Sequence, residues 1–257
     1  MIRGLYTAAS GMIATLMAND TLANNLANVN TTGFKKNTTS FSTFPEMLIH
    51  KMQGGESKAV GSIMTGGKVH ETAIRFEQGH LSETGNDFDL ALEGDGFFTL
   101  KDNNDNTYYT RAGNFTVSAE GYVVNQQGHV LQGRLGGIQV NLDNGPFRFG
   151  RDGLLTAGQR EVDQLKIARF EDNHQLTKVG DTLFQAKNGF EPLPEPQPGE
   201  LPDYVLHQGL LERSNTNVIE ELVNTIQGTR LYDTLQRNVK MHNEMTGKAV
   251  NEVGRYR

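Results

Sequence analysis

The sequence predicts an α+β chain of several domains, in which helices at the two ends pair as a coiled-coil-like unit and a central all-β domain lies between them in sequence. Apolar residues near the N-terminus recur alternately three and four residues apart, which is the spacing of a helix that packs on another helix. A looser stripe of the same kind begins near Val218. Between the two stripes, short apolar runs alternate with turn dipeptides, the pattern of an all-β domain.

Residues 1–33 are predicted to form a helix from Ile2 to about Val29, followed by an asparagine-rich end. The apolar stripe of this helix contains Asn19, which would fix the register of a partner helix if it were buried. Short polar side chains beyond it compete with the helix backbone and favour caps and turns. Gly33 is free to adopt a positive φ and close the turn. The residues predicted to form this turn are Asn24, Asn25, Asn28, Asn30 and Gly33.

Three further segments precede the C-terminal helix. Residues 34–72 are predicted to be an extended connector, because glycines interrupt every period except a stretch around Pro45–Met52, where one or two helical turns fit. Residues 73–190 are predicted to form the β domain, and residues 191–213, which hold five of the seven prolines, a stiff extended connector. The predicted strands are Phe88–Leu92, Phe97–Leu100, Thr107–Thr110, Phe115–Val117, Tyr122–Asn125, Val130–Gln132, Ile138–Leu142 and Leu165–Phe170.

Residues 214–257 are predicted to hold the second long helix, which runs to roughly Val250. Capping side chains in residues 214–217 and the acidic Glu220 and Glu221 favour a helix start there. Because connectors separate both helices from the β domain, little else in the chain can cover their apolar stripes. We therefore predict an assembly interface on both helices. Its residues are Leu5, Met12, Leu16, Asn19, Leu26, Val218, Leu222, Ile226, Tyr232 and Val239.

The composition argues against several functional classes. The formal charge is −6 and the basic residues are scattered, which is atypical of a nucleic-acid-binding face. The seven histidines never pair at metal-site spacing, and the absence of cysteine excludes thiolate chemistry. No run is long enough to span a membrane, and the N-terminus has no secretory signal pattern. The chain also shows no catalytic or cofactor motif, so we predict a protein that is not an enzyme and has no cofactor.

Several motifs resemble those of the bacterial flagellar basal-body rod and hook family. The N-terminal signature comprises residues 4–12 and the run Ala23-Asn24-Asn25-Leu26-Ala27-Asn28-Val29-Asn30-Thr31-Thr32-Gly33-Phe34-Lys35. Residues 90–98, 110–115 and 121–125 resemble the β-domain motifs of that family, and residues 214–223 its C-terminal signature. The sequence departs from the family pattern at residues 228–233, where Gly228-Thr229-Arg230-Leu231-Tyr232-Asp233 stands.

The resemblance implies a non-enzymatic axial subunit, most similar to the rod subunits because the chain has a single β domain. Members of this family leave the cytoplasm through the flagellar export apparatus without a cleaved signal. They stack helically, with paired terminal helices inside and β domains outside, in the basal body. The implied partners are copies of the chain, neighbouring rod and hook subunits and the export apparatus.

A second hypothesis is a secreted glycan-binding or glycan-active β-domain protein with helical oligomerisation arms. Polar loops of the β domain motivate it. The acidic pair Glu93 and Asp95 supplies its best catalytic candidates, although both are better interpreted as residues at the edges of turns.

Overall fold

The computed structural model describes residues 2–43, 47–53, 56–63, 67–140, 147–158, 160–187, 190–194 and 203–253. The chain divides into two compact units. The first, here the helical unit, comprises Met1–Ala27, Asn37–Ala73 and Asn217–Arg257. The second, here the β unit, comprises Asn28–Lys36 and Ile74–Thr216. The α+β composition predicted from sequence is confirmed, since one long helix lies at each end of the chain and strands occupy its middle.

The helical unit contains α1, Ile2–Ala27, and α2, Val218–Val253. Both match the predicted helices to within a few residues. The side chain of Asn217 caps α2, because its Oδ1 accepts hydrogen bonds from the backbone N–H groups of Ile219 at 3.0 Å and Glu220 at 3.5 Å. The capping signal read from the sequence therefore marks the true start of the helix.

Four strands complete the helical unit: β1 is Asn37–Thr43, β2 is Met47–Gln53, β3 is Glu56–Ile63 and β4 is Gly67–Ile74. Strand β1 pairs with β4, and β2 pairs antiparallel with β3 from Met47 opposite Ile63 to Gln53 opposite Glu56. Helical turns were expected around Pro45–Met52, yet the described part of that stretch is strand, and Pro45 and Glu46 lie outside the described residues. A partner strand supplies the backbone hydrogen bonds that a local pattern could not reveal.

The described residues of the β unit form fifteen strands. Their bounds are β5 Leu81–Glu83, β6 Leu90–Gly94, β7 Phe97–Lys101, β8 Thr107–Thr110, β9 Thr116–Val117, β10 Val123–Val124, β11 Val130–Leu131, β12 Phe147–Phe149, β13 Leu154–Ala157, β14 Arg160–Gln164, β15 Ile167–Ala168, β16 Leu176–Val179, β17 Leu183–Ala186, β18 Tyr204–Gln208 and β19 Leu210–Glu212. A single 3₁₀ turn at Asn173–Gln175 precedes β16.

The main sheet of the β unit has the order β16-β17-β8-β7-β11-β10-β9, with β15 also paired to β7. Strands β12, β13 and β14 form a smaller sheet, and β18 and β19 pair with β6 and β5. Strands β18 and β19 occupy part of the segment that was expected to be a stiff extended connector, and residues 195–202 of that segment lie outside the described residues. Both strands form because they complete hydrogen bonding to strands more than a hundred residues away.

Alternating apolar residues of these strands enclose the core of the β unit. Phe98, Leu100, Leu131, Leu155 and Phe184 are each fully buried, as are other residues of the same strands. Some phenylalanine rings meet edge to face, for example Phe98 and Phe115 with centroids 5.3 Å apart. This unit is therefore closed by its own side chains.

Candidate functional site

The two helices of the helical unit run antiparallel with a defined register. Gly4 lies against the ring of His242, Gly11 against the side chain of Leu235, and Gly228 against the side chain of Asn19. The positions rise by seven or eight residues along α1 while they fall by seven along α2, which is about two helical turns per step. Each step places a side chain of one helix over a glycine of the other.

Asn19 is held most tightly of these side chains. A Cβ atom on Gly228 would overlap the Oδ1 atom of Asn19 and lie 3.0 Å from its Cγ atom. The Oδ1 atom is buried and accepts no hydrogen bond within the described part of the chain. The absence of a side chain at Gly228 therefore leaves the space that Asn19 fills.

The predicted interface residues differ in exposure. Leu16, Val218, Leu222 and Ile226 are exposed, whereas the others are partly buried: Leu5, Met12, Asn19, Leu26, Tyr232 and Val239. Large apolar side chains beside the predicted stripe are exposed as well. On α1 these are Tyr6, Ile13 and Met17, and on α2 they are Ile219, Val223, Leu231, Met241, Met245 and Val250.

The extra residues on α1 were missed because the sequence was read as a narrow seam with two contacts per heptad. Tyr6, Ile13 and Met17 each follow a predicted stripe residue by one position, so they widen the apolar face toward solvent. A helix packed on one partner needs only the narrow seam, whereas one with several neighbours needs the wider face. These adjacent apolar residues were the signal in the sequence that could have predicted the wider face.

The asparagine-rich turn contributes residues to both units, and the part in the helical unit is organised by Asn25. Its Nδ2 donates to the backbone carbonyl of Asn37 at 2.8 Å, and its Oδ1 accepts from the backbone N–H of Asn37 at 2.9 Å. The same amide contacts Glu221 Oε2 of α2 at 3.5 Å. Asn25 is 1 % exposed, so these contacts replace the hydrogen bonds to water that it loses.

Within the β unit, the turn continues from Asn28 to Gly33. The Oδ1 atom of Asn28 accepts a hydrogen bond from the Thr31 hydroxyl at 3.1 Å. Gly33 has a φ of +67°, the positive value expected at this position, and its N–H donates to the carbonyl of Glu212 at 2.8 Å. A Cβ atom there would overlap the backbone of Arg111 and Ala112. Asn24 and Asn30, the other two predicted turn residues, are exposed.

A buried ionic cluster directly follows the turn. The Lys35 ammonium donates to Glu212 Oε1 at 2.6 Å and to the carbonyl of Glu77 at 2.7 Å. The Arg111 guanidinium lies 3.5 Å from Glu212 Oε2 and donates to the carbonyls of Leu92 and Gly94. All three charged side chains are at most 4 % exposed. Burial lowers the pKa of Lys35, and the attraction of Glu212 opposes that change.

Sequence reasoning missed this cluster as a unit. Lys35 stands in the N-terminal motif and Arg111 in a β-domain motif, but their shared partner Glu212 is remote from both in sequence. The cluster joins the residues after the turn to the end of β8 and to β19, all within the β unit. Its charged groups are satisfied mainly by each other and by carbonyls, which is typical of a structural ion pair.

The catalytic candidates have ordinary surroundings. Glu93 Oε2 lies 2.8 Å from His207 Nε2 across strands β6 and β18, with both side chains in contact with solvent. Among the described residues, no group of three or more histidine, aspartate or glutamate side chains could hold a metal ion. No helix in the described part of the chain is long and apolar enough to cross a membrane.

Comparison with known proteins matches three segments of the chain to related flagellar families. Residues 5–35 match the flagella basal body rod protein family, and residues 91–157 the D1 domain of the flagellar hook protein FlgE/F/G family. Residues 207–252 match the C-terminal family of the flagellar basal body rod FlgEFG proteins. These three segments contain α1 with its turn, the centre of the β unit, and α2.

The chain is also similar over its whole length to individual rod proteins. It is 33% identical to the flagellar basal-body rod protein FlgF of Caulobacter vibrioides, over 99% of both chains. The chain belongs to the flagellar basal-body rod protein family. It is 34% identical to the rod protein FlgG of Borreliella burgdorferi over 98% of each chain, and 32% identical to FlgG of Bacillus subtilis over 98% of this chain and 99% of that one. Family membership confirms the resemblance seen in the sequence motifs.

Proposed function

We propose that this protein is a structural, non-enzymatic subunit of the bacterial flagellar basal-body rod. Its helices stack with copies of itself and with neighbouring rod and hook subunits into a hollow axle that transmits torque. The subunit works outside the cytoplasm, in the periplasm or cell-wall zone of the basal body, and the flagellar export apparatus delivers it there. Membership of the rod protein family supports the assignment.

The observation that carries the proposal is the wide exposed apolar face of the helical unit. Leu16 is 51 % exposed, Ile219 is 74 % exposed and Ile226 is 46 % exposed. Burying one such side chain is worth about 1.5 to 3 kcal/mol. A face with many of them would strongly favour association, so we propose that neighbouring subunits cover it.

We further propose that α1 and α2 associate in the manner of a coiled coil. The steps of seven or eight residues between Gly4, Gly11 and Asn19, and the matching steps along α2, support this proposal. In this arrangement the partly buried residues of the predicted interface, such as Met12 and Tyr232, contribute to the pair. The exposed ones, such as Leu16 and Leu222, contact the next subunit.

The catalytic form of the secreted glycan alternative is not supported by its candidate side chains. Glu93, its best candidate, is paired with His207 at the surface, and the pair is explained by the pairing of β6 with β18. An assembled axle needs no reacting group, so the proposed function requires nothing of these side chains.

Complementation of a strain that lacks the gene tests the proposal. Leu16→Asp or Ile226→Asp places a carboxylate in the proposed contact, where it would cost several kcal/mol or have to be protonated. We expect both variants to fold and to be exported, but not to form rods or support swimming. Val162→Asp on β14, which is also partly exposed but lies in the β unit, is the matched control and should swim. Swimming by both helix variants would contradict the proposal.

A further inference from the structure

The β unit contains a polar cavity of about 340 Å³ that the assembly function leaves without a role. The turn residues Asn30–Thr32 line it, together with the segments 125–127 and 181–182. Thr110, Ala112 and Asn114 complete the lining. A cavity of this volume lies at the lower end of the range for small-molecule sites.

The lining residues divide into those that hold the walls and those that are free. The Thr110 hydroxyl donates to the carbonyl of Thr182 at 2.8 Å, which fixes β8 against the turn between β16 and β17. The Asn125 Oδ1 atom accepts from the N–H groups of Gln127 at 3.0 Å and His129 at 2.8 Å. The walls are therefore formed before any ligand arrives, which lowers the entropic cost of binding.

The free side chains are all neutral amides or hydroxyls. The side chains of Asn30, Thr32, Asn114 and Gln126 make no hydrogen bond to other described residues, and all four line the cavity. Together they offer three amides, each with two donors and an acceptor, and one hydroxyl. The carboxylate of Asp181 adds an acceptor.

This lining excludes several classes of ligand. Its one charged side chain is acidic, so an anion would be repelled. Ala112 is the one aliphatic side chain among the lining residues, which leaves an apolar ligand without contacts. A single carboxylate falls short of what a divalent cation requires. Ligands with many hydroxyl or amide groups and no charge remain.

We propose that this cavity binds a neutral saccharide, whose hydroxyl groups pair with the amides of Asn30, Asn114 and Gln126, the Thr32 hydroxyl and the Asp181 carboxylate. Because these groups lie on four separate segments of the β unit, a ring with donors and acceptors on several sides can contact them together. The site is independent of the proposed rod function, since it uses none of the exposed apolar residues of the helices.

Isothermal titration calorimetry on the full chain tests the site with three probes. These are N-acetylglucosamine trisaccharide, maltotriose and the acidic trisaccharide of galacturonic acid. We expect at least one neutral probe to bind and the acidic probe to bind at least tenfold more weakly, because Asp181 faces it. Asp181→Asn should reduce that discrimination against the acidic probe.

Two variants test whether binding occurs in this cavity. Thr32→Val keeps the shape of the side chain and Asn114→Leu removes an amide. Each should weaken binding of the neutral probe at least tenfold, as expected for loss of one hydrogen bond to the ligand. Asn103→Leu, in the exposed loop between β7 and β8, is the matched control and should bind normally.

Three outcomes would overturn the proposal. The first is no heat from either neutral probe, and the second is binding that Thr32→Val and Asn114→Leu leave unchanged. The third is a loss of rod assembly in these variants without saccharide binding to the parent chain, which would show that a segment of a neighbouring subunit occupies the cavity. None of these results would contradict the proposed rod function.

Discussion

The helical unit and the β unit differ in whether they bury large apolar side chains. In the β unit, large apolar residues such as Phe98 and Leu155 are fully buried. In the described parts of α1 and α2, Ala8 and Ala14 are the only buried apolar residues, and the remaining buried side chains are the polar Thr15, Asn25 and Glu221. The large apolar residues of both helices are partly or fully exposed.

The two units therefore obtain their stability from different sources. The β unit encloses a core and can be stable by itself. The helical unit has small and polar contacts inside and apolar surface outside, so we expect it to gain stability when neighbouring subunits cover that surface. Substitutions in one unit should therefore destabilise that unit and leave the other unchanged.

The largest effect is expected from Gly33→Val. A side chain at Gly33 would overlap the backbone of Arg111 and Ala112, and the positive φ adds strain, so we expect the free energy of unfolding of the β unit to fall by more than about 4 kcal/mol. Urea denaturation measures this change. Gly85→Val is the matched control, because Gly85 has a φ of +72° but open space around it, and it should cost only about 1 to 3 kcal/mol. Equal losses would show that packing against Arg111 is unimportant.

Glu212→Gln should have the next largest effect. It removes the carboxylate that Lys35 and Arg111 share and leaves two buried cations, at an expected cost of about 3 to 5 kcal/mol. Glu83→Gln, on the exposed face of the strand that pairs with β19, should change the stability by less than about 0.5 kcal/mol. Urea unfolding of both variants, followed by near-UV circular dichroism, gives the comparison. A similar small change in both would contradict a structural role for the cluster.

These two predictions also show what the sequence could and could not reveal. The positive φ of Gly33 and both long helices were predictable, because turn chemistry and helical periodicity act over a few neighbouring residues. The cluster of Lys35, Arg111 and Glu212 was not, since it depends on contacts between strands far apart in sequence. Strands β18 and β19 could not be predicted for the same reason. The prolines before them indicated an extended segment, but they gave no sign of the distant strands β6 and β5 with which β18 and β19 pair.

The sequence predicted that both helices carry an apolar interface, but it did not predict how wide that interface is. The heptad spacing identified Leu16 and Ile226, which are exposed, and also Met12, which is partly buried. Spacing alone cannot separate residues that face the partner helix from those that face solvent. That distinction requires the register, which the contact of Asn19 with Gly228 defines.

Gly228→Ala is expected to have an intermediate effect, confined to the helical unit. The new methyl group would overlap the Asn19 side chain, so the thermal midpoint of helix unfolding should fall. Gly247→Ala is the matched control, because nothing lies near Gly247 and alanine is the better helix former, by about 0.5 to 1 kcal/mol. Far-UV circular dichroism should therefore show shifts of opposite sign.

A second substitution sharpens this test. Asn19→Ala combined with Gly228→Ala should recover most of the lost thermal midpoint, because it removes the overlapping amide. If the double variant is no more stable than Gly228→Ala alone, the register described for α1 and α2 is wrong.

The smallest effect is expected from the pH dependence of the β unit. The Lys178 ammonium lies 3.7 Å above the centre of the Phe34 ring, and burial lowers its pKa from 10.5 to about 8. Between these values the unfolded chain binds a proton that the folded chain has released, so the free energy of unfolding should rise with pH. This contribution is complete above about pH 10.5 and is lost as the pH falls through about 8. Lys178→Met removes the titrating group. The free energy of unfolding of the wild type minus that of the variant should therefore increase as the pH rises across this window. A constant difference would show that the pKa of Lys178 is unshifted.

The central claim is that neighbouring subunits cover the apolar face of the helical unit. Because the chain has no cysteine, single Leu16→Cys and Ile226→Cys variants can report the exposure of that face by their rates of maleimide labelling. The account predicts rapid labelling of dilute monomer and at least tenfold slower labelling of the same variants in assembled rods. Equal labelling rates in monomer and rods would contradict it.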